Sequence, residues 1–179
     1  MDHFQSPLTR EALEYWRSQC QGQAIPRADD YLDRLPPHLA PNLILFDCFA
    51  DDMLVRFHGG ALITRRGENH TGKSWFSVNS HLPASAVLAD VWAIIRHPCG
   101  LWTEATFITS IQRSLRVEAV SLPLAVREGR PPRIVNCSIG LDTMQYDERA
   151  TGWQGAINLV WVNAGFGVPE TAPMALNSQ

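Results

Sequence analysis

Val55-Arg56-Phe57-His58-Gly59-Gly60, followed by Gly67-Glu68-Asn69-His70-Thr71-Gly72-Lys73, decides how this chain is read. An apolar, β-prone run stops at two glycines, and Gly67 and Gly72 then punctuate a short connection before Trp75-Phe76. Such a pattern describes a strand that leaves a sheet and enters a compact, turn-rich segment. Just upstream, residues 42–49 hold the continuous apolar run Leu43-Ile44-Leu45-Phe46, and Asp51-Asp52 separates them from Met53. The two runs predict a β-hairpin. Alternation along its second strand sets Val55 and Phe57 on one face and Arg56 and His58 on the other.

The flanking sequence supplies the rest of an α+β pattern. Over residues 8–21, Leu8, Ala12, Tyr15 and Trp16 recur at helical spacing, with Ser6-Pro7 suited to N-cap and N1 and Gly22 as a stop. Pro26, Pro36, Pro37 and Pro41 exclude a long helix or a central strand from residues 23–41 and leave room for one turn around 29–34. After the glycine-rich connection, residues 61–64 suit a helical turn. Pro83 opens a helix over 84–96, with Val87, Val91, Ile94 and Ile95 on its apolar side and Trp92 close to it, and His97-Pro98 ends it. Strands are then expected at 101–111, 115–126 and 133–141, where Val135, Cys137 and Ile139 share a face. Pro123 demands an edge or a bulge. Residues 156–163 are again strand-like, and the last ten or so are expected to be loose. The order predicts an antiparallel sheet with helices grouped on one face. It divides the chain into a helix and Pro-rich connection (1–41), a core (42–141) and a C-terminal extension (142–179).

Composition narrows the function classes. The 179 residues suit one domain. A formal net charge of −3 and a pI near 6.0 give no general attraction for nucleic acid or anionic membrane. No run approaches the roughly 20 apolar residues that span a bilayer, and residues 1–19 lack the apolar segment of a signal peptide, so a cytoplasmic location is expected. Cys20, Cys48, Cys99 and Cys137 are widely spaced, without the close pairs of a structural zinc site, and read as free thiols. The six histidines form no HxH or HxxxH pair, so no metal site is expected. GxSxG, HExxH and GxxxxGK[ST] are all absent. No catalytic residue is assigned, and the chain does not read as an enzyme.

The element order, together with specific residues, resembles the PAS domain superfamily, and within it the bacterial single-domain PAS group that opens with a Trp-bearing helix. The resemblance rests on Tyr15-Trp16, Pro26-Arg27-Ala28-Asp29, Leu43-Ile44-Leu45-Phe46-Asp47, Arg56-Phe57-His58-Gly59, Thr71-Gly72-Lys73, Glu118 with Leu122-Pro123-Leu124, and the tail from Trp161 through Gly167-Val168-Pro169. Gly59-Gly60 departs from the group's usual Gly-Thr. The resemblance implies an α+β fold, a five-stranded antiparallel sheet with helices over one face, and a cleft between them. It implies sensing or protein interaction, with an unidentified signalling partner, a small apolar ligand or a homodimer as the agents.

Some PAS domains carry haem on a helical His, for which His81 and His97 are the candidates, but Pro98 makes His97 a cap residue. Pro98-Cys99-Gly100 does not match the flavin photosensor motif. Neither haem nor flavin is expected. Phe57, Trp92, Phe107 and Cys137 are the candidate cleft residues, the alternative being that they fill the core. Tyr15 and Trp16 are the candidate interface residues, the alternative being packing on the chain's own sheet. A ligand carrier or small enzyme using the same cleft, and a structural interaction protein with a filled core, are the rival functions.

Overall fold

A computed structural model describes residues 3–22 and 24–174. The chain opens with α1 (Pro7–Ser18), capped by the Ser6 hydroxyl, which accepts from the Leu8 amide at 3.2 Å. Thr9, Ala12, Leu13 and Trp16 form its buried stripe. A short α2 (Ala28–Asp33) and a single 3-10 turn (Ala40–Asn42) fit between the prolines. The hairpin β1 (Leu43–Cys48) and β2 (Met53–His58) follows. Then come three helices: α3 (Gly60–Arg66), α4 (Trp75–Val78) and α5 (Ala84–Arg96). The strands β3 (Gly100–Thr109), β4 (Ser114–Leu124), β5 (Arg133–Gly140) and β6 (Ala150–Val162) end the fold.

The class is α+β, with one six-stranded antiparallel sheet of order β2-β1-β5-β4-β3-β6 among the described residues. Five strands were expected. The sixth is the C-terminal extension: β6 pairs with β3 from Gly100↔Val162 to Thr109↔Ala150, with three register irregularities on the way. Residues 150–162 therefore complete the sheet of the core. The tail also folds back, since Trp161 Nε1 donates to the Thr171 carbonyl at 2.7 Å and the Met174 amide donates to Asp90 Oδ1 at 3.0 Å. The rest of the expected loose tail, 175–179, lies outside the described residues. No helix among the described residues is long and apolar enough to cross a membrane.

Helices cover both faces of the sheet: the grouping on one face that was expected holds for α3 to α5, and the N-terminal helix takes the alternative of packing on the chain's own sheet. α3, α4 and α5 pack on the inner face, over Ile44, Phe46 and Ile134. α1 and α2 pack on the outer face, over Leu43, Leu45, Val120, Leu122 and Val135. Trp16 is fully buried there and its Nε1 donates to the Pro123 carbonyl at 2.7 Å. That bond also accounts for a proline in a central strand. β3 pairing reaches β4 only as far as Leu101↔Ser121, so at Pro123 one side of β4 is locally an edge, and a helix side chain takes the free carbonyl.

Glu118 sits at the centre of the outer face, fully buried. Its carboxylate accepts from the Gln5 amide at 2.7 Å and the Ser6 amide at 3.2 Å, and the Thr9 hydroxyl also donates to it. A helix start leaves such donors without intrahelical partners, and an anion is the favoured acceptor there.

Candidate functional site

The centre of the inner face is built of side chains too small to meet the helices above it. The pairing Thr103↔Ala119 and Ala119↔Ser138 sets three small residues in one row across β3, β4 and β5. Ser121 and Asn136 lie in the next row, between Leu101 and Ile44. Larger residues, among them Phe46, Trp75, Phe107 and Trp153, stand around this centre. A helix layer propped on tall rim residues over a low centre cannot close down, and a cavity of about 210 Å³ remains between the sheet and α3–α5.

Its polar groups are few and placed on particular elements. α3 delivers Arg65 and Arg66. Arg65 donates to the Ser138 hydroxyl at 3.1 Å and the Ser138 carbonyl at 3.0 Å, and burial pushes its guanidinium down to about 10. Arg66 Nη2 donates to Asn79 Oδ1 at 2.7 Å, and its guanidinium lies 5.8 Å from the Phe107 ring centre. Arg66 Nη1 is buried and has no partner among the described residues, and burial lowers the Arg66 pKa. From α5 comes Asp90, 4% exposed, whose Oδ2 is also buried without a partner among the described residues and whose pKa burial raises. At the β2 end His58 accepts from the His70 amide through Nδ1 at 3.1 Å and stacks on the His70 ring at 5.2 Å. Burial, with His70, Arg66 and Arg65 nearby, pushes His58 down to about 4, so it is neutral at physiological pH.

Of the residues expected in the cleft, Phe107 lines it and the other three do not. Phe57 is turned away by a bulge. Leu45 pairs with Phe57 but Phe46 pairs with Val55, which leaves Arg56 as an extra residue and reverses the alternation beyond it. His58 therefore faces the cavity, and Phe57 lies on the outer side, 39% exposed. Cys137 alternates correctly with Val135, but that face of β5 is the outer one, in the core under α1. Trp92 stands one position from Val91 on α5, rotated onto the flank of the helix, where the Arg96 guanidinium lies 5.8 Å from its ring. As for the interface candidates, Trp16 is sealed against the sheet, which leaves nothing of it for a second chain. Tyr15 donates its hydroxyl to the Tyr31 carbonyl at 2.8 Å and packs on the Tyr31 ring.

Other chemistry-bearing residues lie outside the cavity lining. His81 accepts from the Trp153 amide at 3.1 Å and His97 caps α5. The four cysteines are free, and burial pushes Cys48 and Cys137 up to about 12 and Cys99 up to about 11, far from thiolate reactivity. Among the described residues no group of three or more His, Cys, Asp or Glu side chains gathers as a metal site.

A second charged feature lies on the opposite side, where Arg27, Arg56, Arg127, Arg130 and Arg133 converge in a shallow cleft. Four of them pair with Asp29, Asp30 or Asp47.

Comparison with protein-family models and with curated proteins finds no match for this chain.

Proposed function

We propose that this chain is a PAS-like sensor or adaptor of the cytoplasm. It takes a small molecule into the cavity under α3–α5 and passes the signal on through altered contacts with a partner protein or a second copy. The observation that carries the reading is the cavity itself. A purely structural domain gains by filling its core, whereas in this chain small residues are aligned across three strands and buried polar atoms beside the space lack partners. Apolar walls with a few oriented polar groups are what small-molecule sites share. The cavity touches α3 and α5, and occupancy would bias the packing of these helices on the sheet.

Native mass spectrometry of the purified protein, paired with its absorption spectrum, tests the reading. A retained small molecule, lost when Ala119→Leu fills the small-residue row, is the expected result. An empty protein that no cavity-sized compound stabilises against heat would overturn it and leave an interaction domain with an idle void.

A further inference from the structure

The cavity's two unpartnered polar atoms are of opposite kind. Arg66 Nη1 is a cationic donor on α3 and Asp90 Oδ2 is an acceptor on α5. Both residues line the same apolar space, and among the described residues they form no ion pair with each other or with anything else. The remaining charged or titratable lining groups are accounted for. Arg65 is held by Ser138, and His58 accepts from His70. Among the described residues the lining is thus left with one guanidinium nitrogen without an acceptor, on Arg66, and one carboxylate oxygen without a donor, on Asp90. Burying a polar atom without a partner costs about 1–3 kcal/mol, and more when it is charged. An occupant that supplies both partners removes both deficits. Size is bounded as well, since an apolar cavity of roughly 150 Å³ already admits benzene, and this one is about 210 Å³.

We infer that the cavity's ligand is a small apolar monocarboxylic acid, of one aromatic ring or similar aliphatic bulk, with a hydroxyl at its far end. The carboxylate docks on Arg66 Nη1 beside Phe107, and the hydroxyl donates to Asp90 Oδ2. This rests on the reading of the cavity as a ligand site. It adds a chemical class, which the arginine pair alone would leave at "anion" and the walls alone at "apolar".

The test is calorimetric titration of the full chain with three probes: 4-hydroxyphenylacetate, its neutral amide, and phenylacetate. The expected result is that 4-hydroxyphenylacetate binds at least tenfold more tightly than the amide and about tenfold more tightly than phenylacetate. Arg66→Gln should erase the first preference and Asp90→Leu the second. Should either variant fail to fold, the ratios on the unaltered protein carry the test. Equal binding of the acid and the amide would overturn this inference while leaving the cavity a ligand site. Equal binding of the two acids would overturn the role given to Asp90. No binding of any probe at millimolar concentration would overturn the inference together with the functional reading beneath it.

Discussion

Glu118→Gln is the sharpest test of how α1 is fastened to the sheet. Two terms oppose each other. A fully buried carboxylate, with no arginine or lysine partner among the described residues, carries a desolvation penalty of several kcal/mol, and the amide relieves most of it. Against that stand three donated bonds, from the Gln5 and Ser6 amides and the Thr9 hydroxyl. Bonds to a charged acceptor contribute about 1.5–3 kcal/mol each, and neutral ones about 0.5–1.5. The glutamine also turns an NH2 group toward one donor, so one bond is lost outright. Gln5 is exposed and can turn to water, and the Thr9 hydroxyl can turn to the Ser6 carbonyl at 3.0 Å, whereas the buried Ser6 amide has neither recourse. The bonds win, and the net loss is about 2 kcal/mol. Glu118→Ala strands the buried Ser6 amide, which by itself loses about 1–3 kcal/mol. In urea, with a slope of about 1–3 kcal/mol per molar, the glutamine variant's midpoint falls by roughly 1 M at unchanged slope. Thr9→Val and the double variant complete a cycle with a coupling of about 0.5–3 kcal/mol. A Glu118→Gln protein as stable as the parent would refute this reasoning: desolvation would then outweigh the three bonds, and the apolar stripe of α1 alone would hold the helix to the sheet.

Trp16→Ala should cost about 3–5 kcal/mol through the cavity it leaves, and Trp16→Phe about 1–2 kcal/mol through the stranded Pro123 carbonyl, both read from denaturation midpoints. The adjacent glycines should respond with opposite sign. A Cβ on Gly59 would lie 2.4 Å from the Ala40 and Pro41 carbonyl oxygens, whereas one on Gly60 meets nothing within 4 Å. Gly59→Ala is therefore expected to lose about 3 kcal/mol or more, and Gly60→Ala to gain about 0.5 kcal/mol. His58 provides a pH signature: its pKa falls from the usual 6.5 to about 4 on folding. Between those values the unfolded chain binds a proton that the folded chain refuses, so the contribution is complete above about pH 6.5 and is lost as pH falls toward about 4. His58→Asn, which keeps an acceptor for the His70 amide, should flatten that part of the stability profile, and an unchanged profile would refute the assignment.

Much of the fold was legible because local signals agreed with one another. Prolines and glycines punctuate the elements, apolar runs mark β1 and β5, and helical spacing marks α1 and α5. The site was less legible, and for identifiable reasons. A bulge is a single extra residue, and nothing in Val55-Arg56-Phe57-His58 shows that Arg56 goes unpaired, so the alternation read through it assigned Phe57 and His58 to the wrong faces. Alternation also cannot say which face of β5 meets which helices, so Cys137 was paired with the wrong layer. Arg65-Arg66 looks like the cationic ending of any helix. The small residues at 103, 119 and 138 become a row only once the register is known, although three strands with small residues at alternating positions were a signal available in advance. The arginine cleft is assembled from α2, β2, β5 and the β4–β5 connection, and no run of charge announces it.

The placement of β1 between β2 and β5 has a consequence during synthesis. The β1–β2 hairpin can form as soon as it leaves the ribosome, but one edge of β1, with every residue destined for burial, waits for β5. Asp47 meets Arg133 across 86 positions. At roughly 5–20 residues per second, that edge stays open for about 4–17 s. Through that interval the nascent hairpin offers neighbouring chains an open, apolar edge, and the parts of this molecule on hand to shield its faces are α1 and α2, which emerge before it, and α3 to α5, which emerge in the meantime.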